Sequence, residues 1–169
     1  MQTNTEFKIA TQRLLLKPVS ENDLEPLHKI LTNPFVRKYL CDDKFFSQQQ
    51  VSEMLVENTK HFTEEKFGLW FVENKSTREI IGFVGLWYFF NEKQPQLMYA
   101  LLPQGTKQGY GFEAATAIVN YGFKELGYQY LLASCDRPNL DSQKLAQKLG
   151  MKKVKEEKDT LFFRLDNLV

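Results

Sequence analysis

The chain has 169 residues, 43% of them hydrophobic and 25% charged, and 22 basic against 21 acidic side chains leave a formal net charge of +1. This length makes one domain that buries roughly 70% of its unfolded surface without staples. The balanced charge contains no long basic block and so no nucleic-acid footprint, and no apolar run approaches the ~20 residues of a membrane span.

Residues 1–10 read as a frayed lead-in, without the basic and apolar regions of a signal peptide. Residues 13–18 read as a short strand. Ser20 is expected to cap a helix whose apolar positions are Leu24, Leu27, Ile30 and Leu31, ended by Asn33-Pro34. Ser47 and Gln50 have capping-box spacing ahead of a helix carrying Val51, Met54, Leu55 and Phe62. From Phe67 the period changes to that of strands. Residues 67–73 form one, residues 74–77 supply turn chemistry, and residues 80–90 form a β-rich run broken by Gly82 and Gly85.

A strand over 97–102 then leads into a loop with glycines at 109 and 111. A helical stripe follows through Ala114, Ala115, Ile118, Val119, Phe123 and Leu126, with Gly127 as its C-cap. Residues 130–135 are a continuous apolar strand. Asn139 caps a helix that runs to Leu149 and ends at Gly150, and residues 151–155 and 161–165 make a final hairpin. Meander strands before one βαβ-like crossover imply a mixed, mostly antiparallel sheet with helices on both faces, an α/β (α+β) single domain.

Cys41 and Cys135 stand far apart, and His28 and His61 are the only histidines, so no zinc or iron ligand set is expected. Cys135 reads as core rather than nucleophile. His61 reads as a solvated helix end before an acceptor-site residue. The 14 Phe point to a bulky core, and residues 86–90 either line a pocket or pack the sheet.

Strand, glycine loop and helix N-terminus form a cradle for phosphate: glycines allow close approach, N–H groups converge, and the helix dipole favours negative charge. Gly109-Tyr-Gly-Phe-Glu-Ala114 fits the dinucleotide pattern G-x-G-x-x-G/A, with Asp136 following at a strand end. Against an NAD(P)-binding Rossmann unit stand the gap over 103–108, the 33 residues left after Asp136, and the preceding meander.

The other reading is a coenzyme A pyrophosphate loop. Thr106-Lys-Gln-Gly-Tyr-Gly111 resembles the Q/R-x-x-G-x-G/A motif of the GNAT acetyltransferases. Gly109-Tyr-Gly-Phe-Glu-Ala114 is similar to the form found in their RimJ/RimL branch, which acetylates ribosomal-protein N-termini. Thr11-Gln-Arg-Leu-Leu-Leu-Lys-Pro18 and Asn139-Leu-Asp-Ser142 with Lys148-Leu-Gly-Met151 resemble further segments of that branch, in order, over about 11–165. Thr106 and Lys107 depart from the motif, and Gln96 stands where a carboxylate often serves as base.

The resemblance implies a GNAT domain over 11–166 and acetyl transfer from acetyl-CoA, with no metal, to a primary amine: a protein N-terminus or a small molecule. Transfer would be direct, in a ternary complex. It implies that Tyr99, Ala100 and Leu101 flank the coenzyme arm and that Lys107, Gln108, Gly109, Tyr110, Gly111 and Phe112 hold its pyrophosphate. Asn139 would touch the arm, Ser142 would protonate or hydrogen-bond the leaving thiolate, and Gln96 would face the acceptor. An acyl-CoA-binding module without effective catalysis is the alternative that Gln96 motivates. An α-amine, with a pKa near ~8, needs less deprotonation help than a lysine near ~10.4. Near-neutral charge argues against a strongly polycationic acceptor. The acceptor's identity and the oligomeric state are not written in the sequence.

Overall fold

The structure is a computed structural model that describes residues 6–40, 43–89 and 91–168. Cys41 and Phe90, both part of the sequence reading, lie outside the described residues. Part of the lead-in is ordered: Ile9–Ala10 (β1) pairs antiparallel with Leu14–Pro18 (β2). Just before β1, the Phe7 carbonyl accepts from the Trp70 indole at 2.7 Å and its ring meets Phe62. The expectation of a frayed segment overlooked those apolar anchors.

Ser20 does not cap the first helix, α1 (Leu24–Leu31). Its N–H and hydroxyl both donate to Asp23 Oδ2, which closes a turn and leaves Asp23 at the cap position. Asn33-Pro34 does end α1. Asn33 then caps a one-turn helix, α2 (Pro34–Arg37), by accepting from Phe35 N. In α3 (Gln48–Glu65) both capping-box bonds between Ser47 and Gln50 are present.

Three antiparallel strands follow: β3 (Leu69–Asn74), β4 (Ile80–Trp87) and β5 (Gln96–Leu101). Gly82 and Gly85 do not break β4. A Cβ on either would come within 2.1 Å of a neighbouring carbonyl, of Ala100 and Gly68 respectively, so glycine is what lets these strands pass closely. A 3-10 turn at Pro103–Gly105 leads to α4 (Tyr110–Lys124), then β6 (Tyr130–Asp136), α5 (Leu140–Lys148), β7 (Lys152–Glu157) and β8 (Thr160–Asp166). The cap of α4 is Glu125 rather than Gly127, which adopts its left-handed φ of 73° two residues further on.

The strand order is β1-β2-β3-β4-β5-β6-β8-β7, and among the described residues only β5 and β6 run parallel. One parallel pair is not a doubly wound sheet, which removes the dinucleotide reading. One core lies between the sheet and α4–α5, around Trp70, Leu86, Leu131 and Ile118. The other lies beneath α1–α3, around Phe71, Phe83, Leu27 and Leu55.

Candidate active site

The sheet opens where its only parallel pair meets. Six residue pairs join β4 to β5 and seven join β6 to β8, yet the β5–β6 ladder is a single pair, Gln96 with Leu132. Beyond Gln96 the two strands diverge, and the β6-facing edge of β5 at Tyr99, Ala100 and Leu101 has no strand partner among the described residues. An open strand edge inside a sheet offers backbone donors and acceptors to an extended ligand with amides of its own.

The glycine loop sits at the wide end of this wedge. Lys107 and Gly109 have left-handed φ values of 60° and 82°, and Gly109 is the N-cap of α4. Among the described residues, the N–H groups of Lys107, Gln108, Gly109, Tyr110, Gly111 and Phe112 have no acceptor. Left-handed residues among right-handed ones gather successive N–H groups into an anion-binding concavity, and the helix dipole adds positive potential. Lys107 and Gln108 are exposed, as a loop tip should be. Lys148 Nζ lies 4.3 Å from the Phe112 ring centroid and brings a cation to the same end of the wedge.

The loop is held from the far end of the chain. Arg13 donates to the Gln108 carbonyl at 2.9 Å, lies 4.4 Å over the Tyr110 ring and pairs with Glu113 at 2.7 Å. Glu113 also accepts from the Thr11 hydroxyl and from Arg13 N, and the Tyr110 hydroxyl accepts from Asn74 Nδ2. Glu113 thus does more than place a negative charge in the first turn of α4, where the helix dipole favours it. Partial burial alone would raise the Glu113 pKa. The bonds from Thr11 and Arg13, with the guanidinium charge, outweigh burial and hold it below its ordinary 4.5.

A carboxyl depressed in the folded state stabilises fully above the unfolded pKa, and that contribution is lost as pH falls through the folded value. Wild type should therefore melt higher than Glu113→Gln at neutral pH, and the gap should close as pH drops below 4.5. Melting curves from pH 3 to 7 check this; a gap that stays constant with pH would mean that the charged network contributes nothing.

Asn139 is the N-cap of α5, its Oδ1 accepting from Ser142 N at 3.2 Å. Ser142 O accepts from the Tyr99 hydroxyl at 3.4 Å, while the Ser142 hydroxyl makes no hydrogen bond among the described residues. α5 is thereby tied to the open edge of β5. Burial lifts the Tyr99 pKa to about 12, so its proton stays on at neutral pH. Burial, then the Asp136 charge, lift the half-buried Cys135 thiol to about 11, which leaves no thiolate at neutral pH.

The comparisons with known proteins decide the family. The model of the acetyltransferase (GNAT) domain matches residues 13–152. The chain belongs to the GNAT acetyltransferase family. As such it is an N-acetyltransferase. It is 27% identical over 145 residues to the uncharacterized N-acetyltransferase YnaD of Bacillus subtilis (strain 168), covering 86% of this chain and 82% of that one. Its fold is that of the ribosomal L7/L12 α-N-protein acetyltransferase RimL solved in complex with coenzyme A, at a TM-score of 0.79 and 15% identity, over 94% and 97% of the two chains. The ribosomal-protein-S5-alanine acetyltransferase of Vibrio fischeri gives a TM-score of 0.76 at 17% identity, over 95% and 97%.

In this GNAT acetyltransferase Gln96 closes the narrow end of the wedge. It is 1% exposed, and its Oε1 accepts from Ser134 Oγ at 2.8 Å. Ser134, missed in the sequence, had one signal: a hydroxyl at an alternating position of an otherwise apolar strand. Arg13 and Thr11 were part of a motif but had no role until Glu113, a hundred residues away, was seen beside them. His61 is not a solvated helix end but 8% exposed, its ring 4.8 Å from Trp87 and 5.6 Å from Tyr88 by centroid. Trp87 in turn pairs across strands with Gln96. A cavity of about 1020 Å³ lies along the outer face of α4 against residues 6–13, and it meets the loop only at Gly109 and Phe112. The wedge, and not this cavity, has the open strand edge and the N–H groups without acceptors among the described residues.

Proposed function

We propose that the chain transfers an acetyl group from acetyl-CoA directly to a primary amine, of a protein N-terminus or of a small molecule, in a ternary complex. The observation that carries this reading is the conjunction of the six free N–H groups at 107–112 with the unpaired edge of β5. A pyrophosphate suits the first and an amide-bearing pantetheine arm suits the second. Lys107, Gln108, Gly109, Tyr110, Gly111 and Phe112 bind the pyrophosphate. The backbone of Tyr99, Ala100 and Leu101 runs beside the arm, and Asn139 and Ser142 border it from α5.

The attacking amine must be neutral, the developing oxyanion needs donors, and the thiolate leaves more readily with a proton. The uncommitted hydroxyl of Ser142 is the thiol-side donor, with the Tyr99 hydroxyl tied to the same residue. A thiol held protonated at Cys135 is a poor nucleophile, which supports direct transfer over an acyl-enzyme.

Saturating acetyl-CoA should stabilise the folded chain by about 2.7 kcal/mol at a hundredfold excess over Kd. Thiol release should then follow addition of a suitable amine. No melting shift with acetyl-CoA or CoA in folded protein would overturn the reading. A shift without thiol release from any amine would favour a binding module.

A further inference from the structure

Gln96 is buried in the wedge with half of its amide committed. Ser134 Oγ donates to Oε1, and Nε2 is buried with no partner among the described residues. With Ser134 donating to Oε1, the N–H edge of the amide is the one left free in this structure. An orphaned buried donor is a standing cost to the unliganded chain, recovered when an oxygen arrives.

Strand alternation tells which side that oxygen comes from. The Tyr99 hydroxyl reaches α5, and Leu101 lies against Gly111 of α4, so the odd positions of β5 face the helices beside the glycine loop. Met98 and Ala100 belong to the core under α1–α3, Gln96 shares their parity, and its cross-strand neighbour Trp87 lies in that same core. Gln96 thus stands at the last rung of the β5–β6 ladder and on the face opposite α4. On the reading under Proposed function, on which this inference rests, the coenzyme approaches from the α4–α5 side and the amine from the other.

We propose that the free N–H edge of Gln96 is a specificity-determining donor. It receives an oxygen that the acceptor amine carries next to its aminomethyl group. A neutral carboxamide cannot take the amine's proton, but it can reject an amine that leaves it unpaired. The chain therefore selects amines with a neighbouring carbonyl or hydroxyl oxygen over plain alkylamines.

Thiol release from acetyl-CoA by the full chain tests this with three probes: glycinamide, ethanolamine and n-propylamine, with kcat/KM expressed per neutral amine. At least one oxygen-bearing probe should exceed propylamine by about tenfold or more, and which one does separates carbonyl from hydroxyl recognition. Gln96→Glu keeps an acceptor for Ser134 but removes the donor edge, and Ser134→Ala frees the amide to turn. In each the preference should fall toward one while the melting shift with CoA is retained. The wild-type comparison needs no variant to fold. Equal kcat/KM for all three probes overturns the proposal and leaves acetyl transfer standing. A Gln96→Glu variant that is faster with every probe also overturns it, by assigning the position to proton removal. Thiol release with none of the three, despite a CoA shift, overturns the inference, and the transfer reading falls with it only where no other amine, peptide N-termini included, releases thiol.

Discussion

Gly109→Val is expected to raise the Kd for CoA by a hundredfold or more while the rest of the fold persists. Gly109 has a φ of 82° and caps α4, and a Cβ there would come within 3.2 Å of the Arg13 guanidinium. A β-branched residue is disfavoured in the left-handed region and would pull the loop toward extended backbone, dispersing its N–H groups. The same side chain would push on the cation that holds the Gln108 carbonyl. At a ligand concentration that stabilises wild type by about 2.7 kcal/mol, a hundredfold weaker site yields only about 0.4 kcal/mol. Isothermal titration with CoA, alongside melting without ligand, separates lost binding from lost folding. Wild-type affinity in the variant would remove the glycine loop from the coenzyme site.

Asn58→Leu should be the most damaging change away from the site. Asn58 is 1% exposed; its Nδ2 donates to the Val19 carbonyl and its Oδ1 accepts from Leu69 N, both at 2.8 Å. One side chain thereby joins α3 to the end of β2 and the start of β3. Leucine is similar in size but leaves a carbonyl and an N–H buried and unpaired, at roughly 1–3 kcal/mol each. A loss of roughly 2–6 kcal/mol follows, which for a chain of this length lowers Tm by about 10 °C. Urea unfolding should show a lower midpoint with an unchanged slope. A midpoint within error of wild type would mean that water reaches those groups.

These two predictions differ in how far they could be read from sequence. The pattern of glycines at 109 and 111 between a strand and a helical stripe was visible at once, because local backbone requirements are written in local residues. The capping box at Ser47, the Asn139 cap and the stop at Asn33-Pro34 were legible for the same reason. Asn58 was not. A polar residue in a helix pattern reads as solvent-facing until the strand it locks is known. His61 was misjudged in the same way, since the rings of Trp87 and Tyr88 that cover it come from another element. Ser20 failed as a cap because Asp23 competed for its donors, a local rivalry that spacing alone does not resolve.

By itself the sequence determined the order of the elements apart from β1 and α2, the glycine loop and, through ordered motifs, the family. It also determined that position 96 carries an amide in place of a carboxylate. Only the tertiary structure decided that β5 and β6 part after one pair, that residues 11 and 13 brace a loop nearly a hundred residues away, and that Ser134 holds one edge of Gln96. The division has a physical cause. Turns, caps and helical stripes are set by neighbours within a few residues. The splay of two strands and the pairing of buried polar groups depend on contacts between segments far apart in the chain, and no local pattern encodes which of them meet.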